Sequence, residues 1–444
     1  MATVDNVVDE VIDARPRDNR AQNPALDYAP VWRSHVEALK QLTFDPERTK
    51  SGLMSSDGLP NFPTAAQPHL VYELVRSITH SRLERNPADP VFQTKLYDVS
   101  TFLATSEDIH GRRVNSPVIA VPTSGARGIW VSIPAGHGER AVVNAVERYI
   151  GTSAHRFYVS SSAGGEFDIS IVKSITVPFP ETGSPRAFID TFLKQMDSAV
   201  NDGCSTHRTG PFRREPDDVV NAMCGLAIQH NLGALLVPGL TREAVKGKAG
   251  GVLLGMLARF TALSGIPVVC FATTAATTAA EVHGSAVRAL RKVGISIIAL
   301  QETDREWGRL TRHFWEHYFS YRFSHDMPAW LYTELWRHTL GLLEPALKLA
   351  EHAYGKGEFT RESELTVSLL EQYARDALEL DVGMLTSLRF VLSKEALTRG
   401  SGFRADHADS FPLQVNIEHA PVFNEVTVEL ARTLIDGPPP EGKS

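Results

Sequence analysis

Two hydrophobic rhythms alternate along the chain. Between residues 116 and 180, short apolar runs (SPVIAVP, GIWVSI, RFYVSS and SIVKSITVPF) have the length of buried strands. Between two of them, ERAVVNAVERYI carries apolar residues at helical spacing and stops at Gly151, a residue type that commonly closes helices. Further helices are predicted over 186–201 and 217–231. The apolar strand GALLV follows, then a basic, Gly-rich stretch KGKAGG read as a loop, a helix reaching Ser264, and a second apolar strand, IPVVCFAT. Strands alternating with helices over roughly 90–300 predict an α/β domain with a mainly parallel sheet. Upstream, HLVYELVRSITHSRLER has a helical period, and 304–390 is nearly all helical by the same test.

The two ends follow neither rhythm. Residues 1–60 are rich in Asp, Arg, Asn and Pro, with one short amphipathic stretch, VWRSHVEALKQL, and a loop-like SGLMSSDGLPNFP. The final segment scatters Phe403, Phe411 and Leu413 among polar residues and closes on PPPEGKS. Such segments bury too little apolar area to offset an ordering cost of ~1–2 kcal/mol per residue. The predicted division is an N-terminal arm (1–60), an upstream helix (61–90), an α/β domain (91–303), a helical domain (304–397) and a flexible tail (398–444). Both ends are expected to lack a core of their own and to serve as contact arms.

Composition narrows this picture. The 444 residues are 43% hydrophobic and 22% charged, an ordinary globular balance. With 45 Lys plus Arg against 52 Asp plus Glu, the formal charge is -7, so any contact with nucleic acid must be local. Cys204, Cys224 and Cys270 lie far apart, which excludes a disulfide scaffold or zinc ribbon and fits a reducing cytoplasm. No apolar run approaches the ~20 residues of a membrane span, and the acidic, polar start does not read as a signal peptide. The expected location is cytoplasmic.

Candidate chemistry centres on GIWVSIPAGHGERAVVNAVERYI. A buried strand runs into a Gly-rich turn and then a helix, which aims backbone N–H groups and a helix N-terminus at one spot and suits a phosphate. A P-loop needs G-x-x-x-x-G-K-[ST], and the matching frame runs from Ile133 to Arg140. Gly138 keeps the second glycine. Glu139 stands at the lysine position and Arg140 at the Mg²⁺-binding hydroxyl. A competing frame, Gly136-His137-Gly138-Glu139-Arg140-Ala141, fits the GxGxxA of a Rossmann-type dinucleotide binder. The acid expected about twenty positions on is absent, because Tyr158-Val159-Ser160-Ser161-Ser162 stands there. A tight turn that binds nothing is the third reading, and the local pattern leaves all three open.

Over about residues 68–389 the chain resembles the TnsC/TniB group of AAA+ ATPases, regulators that connect target selection to the transposase in DNA transposition. The resemblance is carried in order by Arg85-Asn86-Pro87, IPAGHGER, and then Pro180, Gly183, Ser184, Phe192 and Asp197. Leu232, Gly233, Leu236, Gly250, Gly251, Gly265, Pro267 and Thr273 follow, then Arg291 and DREWGRLTRHFWEHYF. It implies an AAA+ P-loop-type parallel sheet flanked by helices, followed by a helical lid. Val131, Val177, Leu236 and Val269 would lie on neighbouring central strands, and Thr273 and Arg291 would be sensor-like.

The resemblance also places the Walker B aspartate on Pro238 and the catalytic glutamate on Gly239. Four requirements for hydrolysis then fail together, at Glu139, Arg140, Pro238 and Gly239. Glu243, the acid nearby, reads as a solvated loop charge. The implied function is a non-hydrolysing adaptor that links target-site recognition to the transposase. It would have no catalytic residue and no cofactor and would work in an oligomer, with a transposase, an intact TnsC-like ATPase and DNA as partners. The rivals are an active ATPase of the same family that uses ATP and Mg²⁺ through atypical or borrowed residues, and a dinucleotide binder.

Two weaker features complete the inventory. The family builds its DNA-facing side from central loops, which makes Lys246 and Lys248 candidate phosphate contacts. His313 and His317 are four apart on a predicted helix, but HFWEH is not HExxH and no third ligand is evident. They are read as part of a packing face with Trp307, Phe314 and Trp315, and no metal site is expected. No GxSxG elbow supports a serine hydrolase.

Overall fold

A computed structural model of the protein describes residues 23–44, 60–104, 127–160, 166–200, 216–323, 326–356 and 364–392. After a 3-10 turn at Pro24–Tyr28 come α1 (His35–Leu42), α2 (Ala66–Glu84) and α3 (Pro90–Ala104). Strand β1 (Gly128–Ser132) leads through a turn into α4 (Glu139–Ile150). Next are β2 (Ala154–Ser160), β3 (Glu166–Val172), β4 (Ser174–Thr176), α5 (Pro185–Val200), α6 (Pro216–Gln229) and β5 (Ala234–Leu240). The domain finishes with α7 (Arg242–Lys246), α8 (Lys248–Ser264), β6 (Val268–Ala272), α9 (Thr274–Ala279), α10 (Gly284–Leu290) and β7 (Val293–Ser296). The helical segment holds α11 (Arg305–Phe314), a π-helical turn at Trp315–Phe319, α12 (Leu331–Thr339), α13 (Leu343–Lys356), α14 (Val367–Ala377) and α15 (Val382–Leu392).

Helix ends follow local chemistry. Threonine hydroxyls at Thr241, Thr273 and Thr366 accept the N–H three residues on and start α7, α9 and α14. Prolines open α3, α5 and α6, where a missing N–H costs nothing. Gly151 closes α4, and Gly265, in the left-handed region, closes α8.

Among the described residues, five parallel strands form the sheet in the order β4-β5-β6-β1-β7. Leu236 faces Val269 in register, and Val131 lies opposite Phe271 and Ile295. Val177 falls just past the end of β4, yet its N–H still donates to the Leu236 carbonyl at 2.9 Å. The four expected positions therefore lie on or just past four consecutive strands, but β4 is an edge strand and not a central one. Strand alternation splits the core. Ile129, Val131, Leu236, Val269 and Phe271 bury against α1, α2 and α4. Trp130, Leu235, Val237, Val268 and Cys270 bury on the other face, with α3, α5, α6, α8 and α10. A third apolar cluster belongs mainly to α11–α15 and includes Trp307, Phe314 and Trp315.

The structure corrects several sequence expectations. KGKAGG is not a loop: Lys246 ends α7, Gly247 caps the next helix, and Lys248 begins α8. RFYVSS and the start of SIVKSITVPF leave the main sheet and pair as an antiparallel ribbon, β2 with β3. The SPVIAVP run and the 398–444 tail lie outside the described residues. Within the region expected to be an arm, Trp32, Ala38 and Leu42 are buried in the cluster shared with α2 and α4. Asn23 fastens this segment by donating from Nδ2 to the Arg82 carbonyl at 2.9 Å.

Arg82 and Arg85 are fully buried and tie backbone together. Arg85 Nη2 donates to the Leu232 carbonyl (2.8 Å) at the entry to β5, and Arg82 Nη1 to the Ala25 carbonyl (3.3 Å). Burial, together with the neighbouring Arg82 charge, pushes Arg85 down to about 9.

The docked N-terminal segment makes a direct prediction. Trp32 is 4% exposed and meets Tyr72 edge-on at 5.3 Å. Trp32→Ala is expected to cost ~3–5 kcal/mol in urea unfolding. A loss under ~1 kcal/mol would show that this segment is not core.

Candidate functional site

The site forms at the carboxyl ends of the strands. Past Ser132 the chain turns through Ile133–Gly138, with the His137 N–H donating to the Pro134 carbonyl at 3.1 Å. Gly138 has φ +86°, and its carbonyl receives the N–H groups of Ala141 (2.9 Å) and Val142 (3.2 Å), which starts α4. A side chain there would pay ~1–2 kcal/mol for the left-handed backbone. Its Cβ would also collide with Leu343 from the helical segment.

Opposite the turn, β5 breaks its ladder with β6 between Val237 and Leu240. Proline has no N–H to give the ladder, and Gly239 takes φ +85°, so the strand bulges. The Pro238 carbonyl accepts from Phe179 N at 2.7 Å. The Gly239 N–H, released from the ladder, donates to Glu139 Oε1 at 2.6 Å. Two of the four positions singled out in the sequence, Glu139 and Gly239, are thus hydrogen-bonded to each other.

Electrostatics follow from burial. Desolvation raises the Glu139 carboxyl, the Gly239 N–H opposes this, the Glu344 carboxylate adds to it, and the result is pushed up to about 7. Burial also raises Glu344, which Lys348 counteracts. His137 is buried, and desolvation pushes it down to about 4 despite a bond with the Gly341 backbone, so its ring is neutral at pH 7. Arg140 is exposed.

The other sequence candidates divide by position. Thr273 lies beside the site: its N–H donates to the Leu240 carbonyl at 2.9 Å, and the adjacent Ala272 carbonyl accepts from Ile133 N at 2.8 Å. Its hydroxyl caps α9. Arg291 is not brought to the site. It precedes β7, whose first residue pairs with Ile129 at the beginning of β1, so it sits at the opposite edge of the sheet, 3.6 Å from Glu281. Lys246 and Lys248 are exposed beyond the carboxyl end of β5. Glu243 is exposed and pairs with Arg242 at 2.8 Å. The His313 and His317 rings lie 4.5 Å apart, and His313 also packs on Phe62. Among the described residues, no group of three His, Cys, Asp or Glu is placed to hold a metal ion, and no helix is long and apolar enough to cross a membrane.

Sequence reasoning missed the helical segment's part in the site. Glu344 N donates to the Gly136 carbonyl at 3.0 Å, and Leu343 covers Gly138. Nothing around Leu343 in the sequence marks it as a partner of a turn two hundred positions away.

No protein-family model matches the chain, and a search of curated proteins finds no relative. The geometry defines an α/β protein with a five-stranded parallel sheet and a strand–turn–helix element at its carboxyl edge.

Glu139 makes stability depend on pH. A carboxyl raised from 4.5 to about 7 on folding contributes fully below pH ~4.5, and the contribution is lost as pH rises through about 7. The loss amounts to roughly 3 kcal/mol. Glu139→Gln keeps the acceptor but cannot ionise. Urea unfolding at pH 5 and pH 8 should show the variant gaining on wild type by about that amount at the higher pH. An identical pH dependence for both proteins would contradict the assignment.

Proposed function

We propose that the protein is a non-hydrolysing, AAA+-like adaptor in DNA transposition, linking target-site recognition to the transposase. The observation that carries this reading is the Glu139–Gly239 hydrogen bond. In a hydrolysing loop a lysine ammonium faces the β- and γ-phosphates, and two unit charges ~4 Å apart at an effective dielectric of ~20 attract by about 4 kcal/mol. Here a carboxyl takes that position. The Walker B positions supply a proline and a backbone N–H where Mg²⁺ and water need carboxylates.

The strand order supports the P-loop alternative over the dinucleotide one. In a Rossmann unit the first strand neighbours the next strand of its own βαβ half. Here β1 lies between β6 and β7. The helical segment that follows is read as the lid that the family resemblance implies. Exposed Lys246 and Lys248, on the same edge of the sheet as the turn, suit contact with a DNA backbone. A transposase and an intact TnsC-like ATPase are the proposed protein partners, within an oligomer.

Two measurements test this reading. Calorimetric titration with Mg·ATP should give no binding at micromolar concentrations and no phosphate release, and Glu139→Lys alone should not restore turnover. Hydrolysis by the purified protein that Arg140→Ala abolishes would instead establish the active-ATPase reading. For DNA, each phosphate contact contributes about -0.9 to the slope of log affinity against log salt. Replacing both Lys246 and Lys248 by Ala should weaken binding and flatten the slope by up to ~1.8. An unchanged slope would exclude these lysines as phosphate contacts.

A further inference from the structure

The start of α13 and the residues just before it pack against the turn between β1 and α4. Glu344 N donates to the Gly136 carbonyl at 3.0 Å. Leu342 and Pro345 lie against the open side of Gly136, within 3.8 and 3.9 Å of the position a Cβ would take. Leu343 lies where a Cβ at Gly138 would stand, so a side chain there would have to displace the leucine. The His137 ring is buried against the Gly341 backbone.

The same stretch is anchored from behind. The Gly341 carbonyl accepts from Leu300 N at 3.3 Å, and Trp336 Nε1 donates to the Leu300 carbonyl at 2.9 Å. Ala141 of α4 and Ala275 of α9 are buried in the apolar cluster of the helical segment, so the contact is continuous with a core.

We infer that the 341–345 stretch is a built-in ligand for the turn: it clamps the helical segment shut over it, in the place where a bound nucleotide would otherwise bridge the two. This rests on reading the turn as nucleotide-loop in type. It adds that the position of the helical segment is set by the chain itself and does not respond to ATP. Gly138 contributes to the fit, because a side chain there would displace Leu343 from the turn.

Spin-label distances in the full-length protein test the clamp. Val282 and Leu380, 71% and 97% exposed, would be changed to Cys on either side of the junction. Cys204 would be replaced by Ser. Cys224 and Cys270 are buried, and burial raises both thiols, Cys270 to about 12, so they stay unlabelled. The expected result is one narrow distance that millimolar Mg·ATP does not move. Gly138→Ala should lengthen and broaden it by forcing Leu343 away. Adding Leu343→Ala should return the original distance, because the space is restored. Backbone strain at position 138 persists in the double variant, so strain alone would not be rescued.

A broad wild-type distribution, a shift on adding Mg·ATP, an unchanged Gly138→Ala, or a double variant that stays open would each overturn the clamp. Fluorescent-ATP and DNA binding on the same samples separate the two proposals. Nucleotide bound in the turn would overturn the clamp, whereas DNA binding that ignores Lys246 and Lys248, at one narrow distance that Mg·ATP does not move, would count against the functional reading and leave the clamp standing.

Discussion

A carboxyl buried at the head of a helix must accept a hydrogen bond or give up its charge. In this protein Glu139 does some of each. It accepts from the Gly239 N–H at 2.6 Å, and its affinity for a proton rises toward neutrality. The bond requires a free backbone N–H, which the bulge at Pro238 and Gly239 provides. It also requires a turn tight enough to bring α4 up to β5, which the left-handed Gly138 provides. A lysine-bearing loop draws its electrostatics from a phosphate ligand. This loop is satisfied from within, by the backbone of β5.

That internal satisfaction shapes the rest of the molecule. The sheet divides its side chains between two apolar layers, one with α1, α2 and α4 and the other with α3, α5, α6, α8 and α10. The helical segment has its own cluster and touches the sheet domain through the glycines of the turn and through Ala141 of α4 and Ala275 of α9. The Glu344 carboxylate of the helical segment adds to the rise in Glu139's proton affinity, so the packing of that segment and the charge of the loop are coupled.

Much of the fold is legible in the sequence because burial imposes periods on it. GIWVSI, GALLV and PVVCFA are strands buried on both faces and read as continuous apolar runs. ERAVVNAVERYIG shows both the amphipathic stripe of α4 and its closing glycine. Glu139 and Gly239, two of the residues singled out from the sequence, form a hydrogen-bonded pair. What the sequence hid is long-range or ambiguous. The basic KGKAGG stretch looked like loop because glycine and lysine cluster there, yet tertiary packing of Ala244 and Leu253 draws it into helices. Trp32 and Leu42 sit in a polar neighbourhood, and only their partners on α2 and α4 reveal them as core. Arg291 matched a motif by spacing, but the strand that follows it starts at the far edge of the sheet.

The central claim is that Glu139 and Gly239 close the loop on themselves. The most direct test is the amide proton of Gly239, observed by NMR in glycine-labelled protein across a pH titration. A hydrogen bond to a carboxyl that titrates at about 7 should move that proton with a midpoint near the same pH, and the movement should vanish in Glu139→Gln while the resonance stays downfield. A Gly239 amide that ignores pH between 5 and 9 in the wild-type protein would mean that the bond does not form, and the account of a self-satisfied loop would fail with it.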